Sequence, residues 1–380
     1  MRATSLVLPF ILSLPSVMTN PSPVWLDVDT GHDDAFAILL ACHSPNVRLL
    51  GISTVFGNAP LSHTTENTLS ILSAIGRTDV PLYSGASKPF CRAAAAAPDI
   101  HGETGLDGTT CLPAPSSSVK TDVTAIEAAY RALIAQPADT AWLICTGAFT
   151  NAALLFAIYP DLASHLKGFS VMGGAIGGGF TDAPLGTVKG QGERFGNWTP
   201  WAEFNIYIDP ESAQALFSNP VLAAKTTLIP LDLTHQFLAT KEVQSNLLYG
   251  SGKVQNGQSP TLVRKLFVEI LTFFAKTYAD VFGLVEGPPL HDPLAVVAAF
   301  APALLDDQTG ERFAIHVITD GEHGQEDHVR SGKSQCGRTV ATKPFPDQSG
   351  IRIPRGLQES NIWNLIDEAL AKAEQASLNA

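Results

Sequence analysis

In the stretch VWLDVDTGHDDAFAILLA, residues 24 to 41, four aspartates (Asp27, Asp29, Asp33 and Asp34) fall within eight residues, fenced on both sides by apolar residues. Carboxylates crowded at the lip of a core can serve a helix start or a cation. Asp33 and Asp34 sit in a first helical turn, where the macrodipole favours anions by about 0.3–1 kcal/mol each. Two carboxylates ~5 Å apart repel by roughly 3 kcal/mol at an effective dielectric near 20. Helix-end stabilisation does not cover several such pairs, whereas a bound cation does. An all-oxygen ligand set favours a hard ion, Ca²⁺ or Mg²⁺.

Other short motifs end apolar runs in the same way. FGN supplies Asn58, IHGETG supplies His101, WLICTG stops at Thr146 and FSVMGG at Met172. NWTPWAEFN carries Asn197, Glu203 and Asn205, and GPPLHDP carries His291 and Asp292. Each has an ordinary structural reading: a hydrogen-bonded core histidine, a turn asparagine after Gly57, a Glu and an Asn on the exposed face of a strand. As a set they form an inventory suited to a polyol. Carboxylates and amides are in excess, with no cysteine nucleophile and no evident Ser–His pairing.

These residues need elements to hold them. VWLDV (24–28), VRLLGISTV (47–55), TAWLIC (140–145), LKGFSVM (166–172) and KTTLIP (225–230) read as buried strands. Helical stretches lie between them at 33–43, 62–76, 121–135, 150–159 and 209–217. That alternation predicts an α/β fold, an open, mostly parallel central sheet with helices on both faces. Ligands then bind outside the carboxyl ends of the strands, where the aspartates stand. Apolar residues recur at helical spacing over 261–281, and 291–300 reads as a short buried helix. FAIHVIT reads as a late strand, and an amphipathic helix around 358–375 closes the chain. Residues 174–200, rich in glycine, and 320–348, polar with few apolar anchors, read as long loops. One domain over 23–380 is expected, preceded by a 1–22 tail.

Composition narrows the partners. The 380 residues are 45% hydrophobic and 16% charged, enough for a large core and against long disordered tracts. With 24 basic against 36 acidic residues, the net charge of −12 repels phosphate backbones, so nucleic acid is excluded as a partner. The five cysteines form no C-x-x-C pair and read as reduced thiols of a cytoplasmic protein. Residues 1–20 resemble a weak secretory signal, interrupted by Pro9 and Pro15. No run reaches the ~18 apolar residues a membrane span needs.

DVDTGHDDAFAILLA, TVFGN, TGAFTN, VMGG, AEFN followed by IDP, LDLTHQ and HDP resemble, in order and spacing, the inosine/uridine-preferring nucleoside hydrolases. The finer likeness of APDIHGETGLDGT and FFAKTYADVFGLVEGPPLHDP is to fungal uridine nucleosidases. The resemblance covers residues 23–300 and continues weakly beyond. It implies one Ca²⁺ held by Asp29, Asp34, the Thr146 carbonyl and Asp292, with ribose hydroxyls and a water completing about eight oxygens. It implies ribose contacts from Asp33, Asn58, Asn197, Glu203 and Asn205, with Met172 also in the substrate site and His101 and Tyr278 toward the nucleobase. Asp29 would be the general base and His291 the acid for the leaving base. The implied reaction is hydrolysis of a ribonucleoside N-glycosidic bond, uridine foremost, by a dimer or tetramer.

The sequence departs from the family pattern at Thr30, where a proline is usual, and at Phe274, where some members carry tyrosine. Two rivals fit less well. DVDTG also resembles the Asp-x-Asp of aspartate-nucleophile phosphatases, but the downstream motifs do not follow. SGKSQCG is no P-loop, because Asp327 stands where its first glycine is required. A non-catalytic calcium or nucleoside-binding protein is the reading from another class.

Overall fold

The computed structural model describes residues 20–185, 187–188, 192–193, 195–250, 259–321, 334–347 and 349–379. The signal-like segment 1–19 and parts of both long loops lie outside the described residues. In chain order the strands are β1 (Ser22–Val28), β2 (Val47–Thr54), β3 (Leu82–Ser84), β4 (Trp142–Cys145) and β5 (Gly168–Met172). Next come the two-residue β6 (Thr187–Val188) and β7 (Gly192–Glu193), then β8 (Thr226–Ile229) and β9 (Leu305–Asp306). The last are β10 (Arg312–Val317), β11 (Thr339–Thr342), β12 (Ile351–Arg352) and β13 (Gly356–Leu357).

Among the described residues, nine strands join one sheet in the order β11-β10-β12-β8-β5-β4-β1-β2-β3. From β12 to β3 every pairing is parallel. Only β10, against β12, and β11, against β10, run antiparallel. The expected open α/β sheet is therefore present. Its two faces are covered because side chains alternate along each strand. Val24, Leu26 and Val28 of β1 enter one core with helices His32–His43, Leu262–Phe282, Asp292–Phe300 and Glu359–Asn379. Trp25 enters the opposite core with helices Ala125–Ile134, Thr150–Ile158 and Pro210–Phe217. Asp292–Phe300 is apolar nearly all round because helices and sheet enclose it on every side.

The connectivity creates the site. From β1 the chain moves outward through β2 and β3, then returns to place β4 on the other side of β1. A crevice opens at such a reversal, outside the carboxyl ends of the strands. Three expectations need correction. The 320–348 segment contains an edge strand, since β11 pairs with β10 from Thr339 to Thr342. The 174–200 segment carries the β6–β7 ladder. The loop is also tied down, because Asp232 accepts Ile176 N–H (2.7 Å) and Gly177 N–H (2.9 Å). Glu203 and Asn205 lie on no exposed strand face; both are buried at the start of helix Phe204–Ile208.

Candidate active site

Asp29 directly follows β1. Its Oδ2 accepts Asn58 N–H at 2.8 Å, while its buried Oδ1 has no hydrogen-bond partner among the described residues. Two glycines permit this burial. A Cβ at Gly57 would lie 1.9 Å from Asp29 Oδ2, and one at Gly147 would lie 2.7 Å from Oδ1. Asp34 accepts the N–H of Gly31 (2.9 Å), which starts its own helix, and Nδ2–H of Asn58 (3.1 Å). Its other oxygen accepts the Thr146 hydroxyl at 2.7 Å. Asn58 thus links Asp29 to Asp34 across the ends of β1 and β2.

Asp33, Asp34 and Asp292 each bring one buried oxygen within 4.8 Å of the others. The electrostatics follow from that crowding. Burial, then the Asp34 charge, pushes Asp33 up to about 7. Asp29 is raised well above the usual range by burial and then by Asp34. Burial and then Asp33 do the same to Asp292. Among the described residues, no lysine or arginine lines the cleft above them. An all-oxygen donor set, an unpartnered buried carboxylate oxygen and uncompensated negative charge fit a hard divalent cation. Asp27 stands apart on the far side of β1. It accepts hydrogen bonds from Ser53 and Asn151, and burial pushes it up to about 7.

Above this floor lies a half-open cleft. All eight expected substrate contacts line it: Asp33, Asn58, His101, Met172, Asn197, Glu203, Asn205 and Tyr278. Thr146, His291 and Asp292 line it as well, whereas Asp29 and Asp34 lie fully buried beneath. Several groups are already engaged. The Thr146 carbonyl accepts Asn205 Nδ2–H at 2.7 Å and keeps one lone pair. Glu203 caps its helix, accepting Asn205 N–H (2.8 Å) and Ile206 N–H (3.0 Å). It also takes Gly174 N–H at 2.9 Å, an approach made from a left-handed glycine with φ of 82°. Asn197 Oδ1 accepts Phe204 N–H (2.9 Å).

The far wall is a single helical stripe. Phe274, Tyr278 and Phe282 recur every fourth residue of helix Leu262–Phe282, so they share one face. Tyr278 lies edge-on to Phe274 at 4.7 Å. The Tyr278 hydroxyl meets His291 Nε2 at 2.7 Å, and Thr234 Oγ1 meets the opposite ring nitrogen at 2.7 Å. Burial holds His291 well below its usual value, and burial with the Asp33 charge holds Tyr278 well above its own. Both are neutral at pH 7, and the nitrogen a leaving-group acid would use contacts the phenol. Sequence reasoning missed Ile100, Trp198 and Phe204, apolar members of the lining. It also passed over His32, whose imidazole contacts His101. Trp198 lies between two residues of a motif already singled out, where only the polar members attracted notice.

An open parallel sheet with an acidic floor and amide walls at its reversal point defines an α/β protein built to hold a small, hydroxyl-rich molecule. The profile of the family described as inosine-uridine preferring nucleoside hydrolases matches residues 24–364. The chain is 37% identical over 366 residues to the uridine nucleosidase of Saccharomyces cerevisiae, covering 93% of this chain and 97% of that one. It is 36% identical over 304 residues to the pyrimidine-specific ribonucleoside hydrolase RihA of Shewanella woodyi, covering 80% and 86%. The purine-preferring ribonucleoside hydrolase from Gardnerella vaginalis shares the fold, with a TM-score of 0.73 at 24% identity over 94% of this chain and 99% of that one. The chain belongs to the inosine-uridine preferring nucleoside hydrolase family and is a nucleoside N-glycosyl hydrolase. Among the described residues, no helix is long and apolar enough to cross a membrane.

Proposed function

We propose that this enzyme, one catalytic domain over 23–380 acting as a dimer or tetramer, hydrolyses pyrimidine ribonucleosides, uridine foremost, in a calcium-dependent reaction. The calcium reading is carried by the unpartnered, buried Asp29 Oδ1 taken with the clustered oxygens of Asp33, Asp34 and Asp292. Asp29, Asp34, the Thr146 carbonyl and Asp292 would hold the ion. When bound, Ca²⁺ supplies a Lewis acid that lowers the pKa of a coordinated water and an anchor for the ribose 2′- and 3′-hydroxyls.

The chain's own groups account for the remaining chemistry. Asp29 Oδ1 accepts a proton from the attacking water as its oxygen bonds to C1′. The N-glycosidic bond breaks, its electron pair leaves with the base, and the base takes up a proton. Asp33, Asn58, Asn197, Glu203 and Asn205 hold the sugar hydroxyls, which fixes C1′ against the water. The negative floor stabilises the positive charge that develops on the ribose. Uridine is favoured by the likeness to the Saccharomyces uridine nucleosidase, and pyrimidines as a class by the likeness to the pyrimidine-specific Shewanella relative. A second reading, a broad purine and pyrimidine hydrolase, is favoured by the Tyr278–His291 pair, a proton path of use to leaving groups that depart protonated.

The test measures ribose released from uridine, cytidine, inosine and adenosine, with calcium and after chelation. Release that is lost with chelator and restored by calcium is expected, with uridine fastest. Activity indifferent to a strong chelator would remove calcium from the reaction, and inosine ahead of uridine would replace the pyrimidine reading with the broad one.

A further inference from the structure

His101 forms part of the cleft wall, and His32 stands behind it, one residue before Asp33. His32 opens helix His32–His43 and is fully buried, its ring parallel to those of Phe273 and Phe274 at 5.2 and 5.3 Å. Its Nε2 lies 2.9 Å from the Asp107 carbonyl oxygen. A carbonyl only accepts, so that nitrogen carries the proton and the neutral ring has a bare Nδ1. His32 Nδ1 lies 3.1 Å from His101 Nδ1. Two bare or two protonated nitrogens would repel at that distance. One proton therefore lies between them, and it belongs to His101. The remaining His101 nitrogen, Nε2, is then a lone pair on a ring that lines the cleft.

We propose that His32 is a positioning residue that fixes this tautomer, so that His101 Nε2 presents an acceptor to a hydroxyl or N–H of the bound nucleoside. The proposal deepens the ribonucleoside reading and rests on it for the identity of the donor. An Nε2 lone pair receives a proton-bearing group and has no proton to give a departing base. Protonation of the base is thereby left to the Tyr278–His291 side of the cleft.

The experiment uses the full chain labelled with ¹⁵N-histidine, its imidazole signals read by NMR at pH 7 and His101 assigned by the signals lost in His101→Gln. The expected result is a pyridine-type Nε2 and a protonated Nδ1. His32→Phe keeps an aromatic ring between the same neighbours but deletes both nitrogens. It should release His101 into mixed tautomers and lower kcat/KM for uridine about tenfold, the loss of one well-formed hydrogen bond. His32→Asn returns an amide oxygen as acceptor and should recover both the Nε2 signal and most of the rate. A proton on Nε2 in the wild-type protein overturns the proposal, as does a His32→Phe protein with unchanged His101 signals and kinetics. If His32→Phe does not fold, the wild-type spectrum and His32→Asn decide. A wild-type protein that shows the expected tautomer but releases no ribose would sink the ribonucleoside reading and leave the His32–His101 assignment standing.

Discussion

Asp29 combines two demands in one side chain: it belongs to the crowded acidic floor, and its Oδ1 is the oxygen left without a partner. Asp29→Ala should therefore lower kcat by about a thousandfold or more, the scale of losing a general base together with a cation ligand. Ribose release under saturating calcium measures it. The Tyr278–His291 contact makes a different prediction. If the proton reaches the base along that pair, Tyr278→Phe and His291→Ala should each slow inosine hydrolysis more than uridine hydrolysis, by about tenfold to a hundredfold. The double variant should be little worse than either alone, because both act on one path. Additive losses would separate the two residues. Much of the site was legible at this scale, since strand-terminal Asp, Asn and Thr residues were visible against apolar runs. The pairing of His291 with a phenol and of His32 with His101 was not. Those contacts join residues 13 and 69 positions apart in sequence, and no local pattern encodes them.

The long helix Leu262–Phe282 brings the aromatic stripe to the cleft, and its other end is fastened by Arg264. That buried guanidinium meets Asp367 at 2.8 Å and Glu374 at 2.9 Å on helix Glu359–Asn379. It also donates to the Leu247 carbonyl. Arg264→Ala would remove the cation paired with two largely buried carboxylates, so it should cost about 3–5 kcal/mol of stability in a urea melt. The aromatic stripe should keep its place and Asp29 chemistry should persist at low temperature. Periodicity revealed this helix and the parallel strands, because each hides an apolar face several residues long. It missed β3, β11 and β12, of three, four and two residues. Such short runs carry too few turns of the side-chain alternation to stand out, and β11 exists only because β10 offers it a partner.

For the whole molecule, the buried carboxylates tie stability to pH in an unusual direction. Asp27 and Asp33 shift from 3.8 to about 7 on folding. Between those values the folded chain holds protons that the unfolded chain has lost. Chelated protein should therefore lose stability as pH rises from about 4 to about 7 and level off above. Calcium displaces protons from the floor, so it should flatten this slope and bind more tightly as pH rises. Urea melts across that range, with and without calcium, measure both effects. A slope of opposite sign with chelator would mean that the floor is ionised without a cation. The same sheet order has a consequence for biosynthesis. β1 leaves the ribosome first, yet one of its two edges stays open until β4 arrives more than a hundred residues later. At about 5–20 residues per second that is an interval of roughly 5–20 s in which a largely apolar strand with an open edge can pair with the wrong chain. Slowing translation lengthens that interval, so yield of soluble protein depends on chaperone capacity during synthesis.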